Sequence, residues 1–312
     1  MSIFKQNIIN QIGTREDLLI DTHTHIGMSF KRYVKSSGQF CQSLNELSMK
    51  MQLYGVDYSI VFPFPSLNGN MIRNIRINAG HNFFEAEEFP YQLANSYLFS
   101  EIVRCGYQEF IPFMLINTNI QLDEQLSFFE RYEDYIFGIK IHTASNEISP
   151  EKLPGEFVSF CEKKMMPIIF HTRSCEAQYS CWSVLKFAEK NPNINVCVAH
   201  CAGFEKSFFE EINNFDNVYF DVSPLLSLCH LSLKGNENVI SKDKLDLDYT
   251  NPVRVLEDVY KLAPNHILWA TDEPCGHYVD NKYQIQVNHV KDLDTSMRRQ
   301  LQKNVFNFLT NL

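Results

Sequence analysis

Basic residues are scarce in this sequence: 28 Lys and Arg stand against 37 Asp and Glu, a formal net charge of −9 over 312 residues. A surface that binds a polyanion normally carries a basic patch, and the basic clusters here are short pairs such as Lys163–Lys164 and Arg298–Arg299. They read as solvated helix faces, so a nucleic-acid partner is not expected. Nothing approaches the roughly 18 consecutive apolar residues of a membrane span. The opening MSIFKQNIINQIG lacks the continuous apolar core and small-residue cleavage site of a secretory signal. The expectations are no membrane association and a cytoplasmic location. The nine cysteines include no Cys-x-x-Cys pair, and Cys161, Cys181, Cys197 and Cys201 lie in apolar stretches. They read as reduced, mostly buried thiols, which excludes a disulfide framework and a zinc ribbon. Low-complexity tracts and linkers are also missing.

What is present is apolar and periodic. Hydrophobic residues make up 45% of the chain and aromatics 13%, enough for a large core and too much for disorder. The length exceeds the usual single core, but α/β barrels reach it as one domain, here residues 1–312. Eight short apolar runs recur: LLIDTHTH, YSIVFPFP, EFIPFMLIN, IFGIKIHTA, MPIIFHTR, NVCVAHCAG, NVYFDVSP and HILWATDEP. Helical stretches fall between them at 43–54, 91–105, 122–134, 151–164, 177–190, 204–213 and 252–262, with two more near 280–291 and 295–310. Near-continuous apolar strands fit burial on both faces of a parallel sheet. Eight of them, each followed by a helix, are the count of a TIM barrel. Two connections are long, 66–89 and 225–250. The expected fold is therefore α/β, a single (β/α)8 TIM barrel with insertions after strands 2 and 7. Both insertions follow strand C-termini, the face on which such barrels build their sites.

Chemistry gathers at those strand ends. In LLIDTHTHIG, Asp21, His23 and His25 occupy every second position, so a regular strand sends all three to one face. The two histidines then lie roughly 6.6 Å apart along the strand, within reach of one ion. Run four ends in Lys140 and His142, run five in His171, run six in His200 and run eight in Asp272, so five of the ten histidines sit at strand ends. One such histidine is ordinarily a core residue bonded to a carbonyl; five together are not. Imidazoles with a carboxylate suit zinc or a similar ion. An ion held by His23, His25, His171 and Asp272 would bring the pKa of a bound water toward neutrality. Asp272 would both touch the ion and take the proton.

The ordered set DTHTH, GIKIHT, IIFHT, VAHCAG, YFDVS and LWATDEP, spanning residues 18–274, resembles the amidohydrolase superfamily. The resemblance is to its amidohydrolase-2 branch, which includes aminocarboxymuconate-semialdehyde decarboxylase. The segments YQLANSYLFSEIVRCGYQEFIPF and LQKNVFNFL resemble the branch too. The resemblance implies that His23, His25, His171 and Asp272 hold one divalent metal, zinc foremost with manganese as the alternative. It makes His200 an acid/base or carbonyl-polarising residue outside the ligand set. Binuclear members carry a carboxylated, metal-bridging lysine on the fourth strand. In this branch a lysine or histidine of GIKIH borders the substrate, so Lys140 and His142 are placed there and one ion is expected.

Arg173 shares the parity of His171 and suits a substrate carboxylate, or a salt bridge at the rim. Arg73, Arg76 and His81 after the second run, and His230, His277 and Tyr278 in late loops, are candidates to cap the pocket. Asp221 reads as a support that orients a neighbour. The expected function is metal-assisted hydrolysis of an amide, ester or lactone in a small, carboxylate-bearing substrate. The alternatives are a lyase of the same branch, decarboxylase or hydratase, and an inactive binding barrel, which the intact ligand set disfavours. The expected partner is a small molecule, and a homo-oligomer is allowed.

Overall fold

The computed structural model describes residues 1–29, 32, 39–65, 88–275 and 281–310. Arg73, Arg76, His81, His277 and Tyr278 lie outside the described residues, as does most of the connection after the second apolar run. Nine strands form one mixed sheet: β1 (Ile20–Met28), β2 (Cys41–Gln42), β3 (Tyr58–Pro63), β4 (Phe110–Ile116), β5 (Gly138–His142), β6 (Ile168–His171), β7 (Val196–Val198), β8 (Val218–Asp221) and β9 (Ile267–Leu268). Their order is β2-β1-β3-β4-β5-β6-β7-β8-β9. The two-residue β2 runs antiparallel to the end of β1; every other pairing is parallel. The parallel run also curls back on itself. The amide of Thr22 donates to the Trp269 carbonyl at 3.0 Å, that of Asp272 to His23 at 2.8 Å, and that of His25 to Glu273 at 2.7 Å. The segment after β9 thus lies against β1.

Helices cross between the parallel strands, as parallel pairing requires. Leu44–Tyr54 shows how locally they are written. Ser43 and Glu46 form a reciprocal capping box at its start, and Gly55 closes it in the left-handed region with φ +66°. The helix expected over 151–164 is instead split into a 3-10 turn at Pro150–Lys152 and a helix at Gly155–Lys164. Pro154 disfavours helical backbone at Leu153, just before it. The long connection after β8 contains a helix of its own, Leu225–Leu233. An N-terminal helix, Ile3–Thr14, was not foreseen either. It buries Ile8, Ile9 and Ile12 with Val305, Phe308 and Leu309 of the last helix. Among the described residues no helix is long and apolar enough to cross a membrane.

Two apolar clusters divide the strand side chains. One holds Val61, Met114, Ile116, Ile139, Ile141, Ile168, Phe170, Val196, Val198, Val218 and Phe220 with the helices. The other holds Ile20, Tyr58, Ile60, Phe62, Ile111, Phe113, Ile169, Cys197, Tyr219 and Leu268, inside the curl. Strand alternation explains the split everywhere but on β1. There Ile20 pairs with Tyr58 and Asp21 with Ser59, yet Thr24 pairs with Val61 and His25 with Phe62, so the register slips between Asp21 and Thr24. A bulge adds one residue and resets the alternation. Ile20 before it and His25 after it therefore face the same interior. This corrects the expectation that Asp21 shares the face of the two histidines.

Candidate metal centre

His23 and His25 rise from the middle of β1 and meet Asp272 from the segment after β9. One donor atom from each residue lies within 4.8 Å of the other two, and among the described residues this is the one such group of three or more His, Cys, Asp or Glu side chains. His25 Nε2 stands 3.2 Å from Asp272 Oδ1 and His23 Nε2 stands 3.5 Å from it. All three residues are buried. Asp272 itself has left-handed backbone, φ +59°, a conformation that costs a non-glycine residue about 1 kcal/mol or more.

Hydrogen bonds behind the rings assign their protons. His23 Nδ1 lies 2.8 Å from Asp221 Oδ2, and His25 Nδ1 lies 3.3 Å from the Pro63 carbonyl. Carboxylates and carbonyls only accept, so both Nδ1 atoms donate. A neutral imidazole that donates from Nδ1 presents a bare lone pair at Nε2. Burial drives the His23 pKa down to about 3, with Lys140 adding to the effect, and burial likewise lowers His25. Two Nε2 lone pairs therefore face a carboxylate oxygen. Asp272 Oδ1 is buried without a hydrogen-bond partner among the described residues. Lone pairs and an oxyanion converging on one point repel unless a cation lies among them; the Lys140 ammonium, 3.5 Å from His23 Nε2, supplies one on that side and leaves His25 Nε2 and Asp272 Oδ1 facing each other at 3.2 Å. The donor set thus fits a divalent ion of the zinc type.

Asp221 is the support beneath His23. Fully buried, it accepts from His23 Nδ1 through one oxygen and, through the other, from the His200 amide at 3.1 Å, the Ser223 amide at 2.9 Å and the Ser223 hydroxyl at 2.6 Å. Burial alone would raise its pKa, but His23 beside it outweighs that and holds the carboxyl below the usual range. Asp21 points the other way, as the bulge dictates. It accepts from the Thr271 amide at 3.0 Å and the Thr271 hydroxyl at 2.6 Å, and burial pushes its pKa up to about 8.

A second group of imidazoles adjoins the first. His200 Nδ1 donates to the Ser223 carbonyl at 2.9 Å, which leaves Nε2 of the neutral ring as an acceptor. His171 Nδ1 lies 2.8 Å from that Nε2 and so carries a proton, leaving its own Nε2 as a lone pair. His171 thus has the electronic form of a ligand but is not among the three whose donor atoms converge. Its ring stacks on His142 at 3.9 Å between centroids, and the His200 ring lies 5.2 Å from that of His23. Burial keeps His142 and His171 well below the ordinary histidine pKa. Both nitrogens of His200 are engaged, so in this arrangement it orients His171. It is presented from an unusual turn. His200, Cys201, Ala202, Gly203 and Phe204 all have positive φ, between 50° and 65°. A Cβ on Gly203 would sit 2.0 Å from Ser174 Oγ and 2.6 Å from the Val239 carbonyl.

Of the residues expected near the substrate, Lys140 lies within the metal cluster itself. Its Nζ donates to His23 Nε2 at 3.5 Å and stands 4.7 Å over the Phe62 ring. Burial lowers its pKa to about 8. Arg173 pairs with Glu176 at 3.0 Å and is 41% exposed at the rim. His142 accepts from the Ser145 amide at its Nδ1, so its Nε2 carries the proton of the neutral ring. The residues that sequence reasoning missed are Ser223, Gln42, Lys50 and Glu273. The signals for two of them were that Ser223 closes the motif YFDVS and that Glu273 follows Asp272 in LWATDEP.

No protein-family model and no curated protein matches the chain. Solved structures do. A 2,6-dihydroxybenzoate decarboxylase bound to 2,6-dihydroxybenzoate aligns over 96% of this chain and 99% of its own, with a TM-score of 0.61 and 12% identity. The 5-carboxyvanillate decarboxylase of Sphingomonas paucimobilis aligns over 94% and 98%, with a TM-score of 0.56 and 11% identity. A probable 2-pyrone-4,6-dicarboxylic acid hydrolase of Acinetobacter baumannii, with citric acid bound, aligns over 93% and 98%, with a TM-score of 0.55 and 9% identity. At these identities the likeness is one of fold, and it spans essentially the whole of each chain.

Proposed function

We propose that this chain is a closed (β/α)8 barrel of the amidohydrolase-2 type that uses one divalent ion, zinc foremost, to hydrolyse an amide, ester or lactone of a small carboxylate-bearing substrate. The observation that carries this is the proton assignment. His23 and His25 each donate from Nδ1 and turn the Nε2 lone pair toward a buried, unpartnered oxygen of Asp272, with Lys140 Nζ 3.5 Å from that of His23. That set would hold the ion, with His171 Nε2 as the fourth donor. A bound divalent ion supplies Lewis acidity, bringing the pKa of an adjacent water toward neutrality and polarising a substrate carbonyl. Asp272 accepts the proton of the attacking water and passes it to the leaving group. Asp221 keeps His23 in the donating tautomer. Lys140, His142 and Arg173 border the substrate, with Arg173 released from Glu176 to pair with its carboxylate.

Decarboxylation of a related acid is the second reading, favoured by the two decarboxylases of the same fold. The test is a metal titration followed by two substrate panels on the loaded protein. One panel contains lactones, esters and amides with a carboxylate; the other contains hydroxylated aromatic acids, assayed for released carbon dioxide. Turnover in the first panel that disappears with a chelator supports hydrolysis, and carbon dioxide release moves the chain to the lyases. Failure to bind zinc, manganese or cobalt overturns the metal centre.

A further inference from the structure

Asp272 sits in the left-handed backbone region, which Asp enters more readily than most residues but mainly where local contacts hold it. The residue after it does much of this. Glu273 is 2% exposed, and its carboxylate lies 2.5 Å from Lys50 Nζ on the helix Leu44–Tyr54. The same ammonium donates to Gln42 Oε1 at 2.9 Å. Gln42, itself buried, donates from Nε2 to the His25 carbonyl at 2.9 Å. The His25 amide donates to the Glu273 carbonyl at 2.7 Å. These contacts close a ring: His25, Gln42, Lys50, Glu273 and back to His25. A second lysine, Lys282, stands 3.7 Å from the other Glu273 oxygen.

The ring encloses the backbone between two proposed ion donors. It ties both polar groups of the His25 backbone, and through the Glu273 peptide it fixes where Asp272 leaves the strand. A buried ion pair is weak evidence for stability, because desolvation offsets most of its attraction. What the ring does is join four elements that are separate in sequence: β1, β2, the helix after β2 and the segment after β9. We propose that Lys50, Gln42 and Glu273 form a positioning clamp that sets the separation of His25 Nε2 from Asp272 Oδ1, and with it the affinity and geometry of the ion site. They are positioning residues, since none reaches the ion. This deepens the metal-centre reading and rests on it.

The test is cobalt binding, followed by the visible d–d absorption of the bound ion and by competition with a chromophoric chelator. Wild type is measured first, then Lys50→Met, Glu273→Gln and the double variant, with circular dichroism to confirm folding. The single variants should bind cobalt about 10–100-fold more weakly, the range for removing a group that orients a ligand, with a shifted or broadened band. The double variant should be no weaker than the worse single one, because one ring is broken once. Lys50→Arg should restore most of the affinity, since a guanidinium reaches the same carboxylate. If Lys50→Met does not fold, Gln42→Leu breaks the ring without removing a charge and carries the same expectation. Wild-type affinity and spectrum in a folded ring-broken variant would overturn the clamp and leave the metal centre standing. No cobalt binding by wild type would overturn both.

Discussion

Replacing Asp221 with Asn is the sharpest probe of the proton assignment, because it changes one atom's hydrogen-bonding sense beneath the site. The carboxylate accepts five hydrogen bonds from four residues: His23 and, at 3.9 Å, the Cys197 thiol on one oxygen, His200 and Ser223 on the other. An Asn amide keeps one acceptor. If its oxygen stays with the three donors of His200 and Ser223, its NH2 faces the Nδ1–H of His23, and two donors then meet in a buried site. The imidazole escapes by carrying its proton on Nε2, the nitrogen turned toward Asp272. Ion affinity should fall at least 10–100-fold, as expected when a ligand loses its orienting partner. The charge-assisted bond from His23 is lost and the three on the other oxygen become neutral, so at roughly 1.5–3 kcal/mol per charged bond the net destabilisation is about 2–4 kcal/mol. The melting temperature should drop by roughly 4–8 °C. Zinc competition against a chromophoric chelator and a thermal melt measure both. Ser223→Ala is the control: it removes the hydroxyl bond at 2.6 Å but leaves His23 untouched, so it should cost stability and spare affinity. The tautomer argument fails if Asp221→Asn binds zinc like wild type, or if Ser223→Ala weakens binding equally.

Three further outcomes follow from the same geometry. His171→Ala, which removes a proposed ligand, should weaken ion binding more than His200→Ala, which removes only the acceptor that orients His171 and should cost about 10–100-fold in affinity; equal loss of metal in both would place His200 among the ligands. Asp272→Asn should fold, bind the ion weakly and remain nearly inactive at saturating metal, and recovery of most of the wild-type rate would show that Asp272 only positions the ion. The metal-free protein should melt higher as pH rises from 5 to 6.5. His23, at about 3, and His25, His142 and His171, all lowered by burial, take up protons only on unfolding in that window, so the unfolded chain binds more protons and stability rises with pH. Asp21, raised to about 8, opposes this across the window, because the folded chain keeps a proton that the unfolded carboxylate has already released, so the rise should be shallower than four histidines alone would give and should level off near neutrality. A melting temperature that is level or falling between pH 5 and 6.5 would contradict the burial of neutral imidazoles.

Much of the architecture was written locally. Apolar runs set eight parallel strands, the Ser43–Glu46 box and Gly55 delimit a helix, and Pro154 breaks one, because each depends on backbone sterics and hydrogen bonds a few residues apart. The strand ends also named His23, His25 and Asp272, since strand C-termini face one side of such a sheet wherever the strands lie. What the chain could not disclose locally was direction and distance. Two-residue alternation put Asp21 beside the histidines, and only the register of β1 against β3 reveals the bulge that turns it away. Lys140 against His23, the relay from Ser223 through His200 to His171, and the link from Lys50 to Glu273 join residues from 23 to 223 positions apart. Such contacts leave no periodic trace in the sequence. They exist only once the sheet has curled, since the curl brings the segment after the last strand against the first and places donors from separate elements around one buried point.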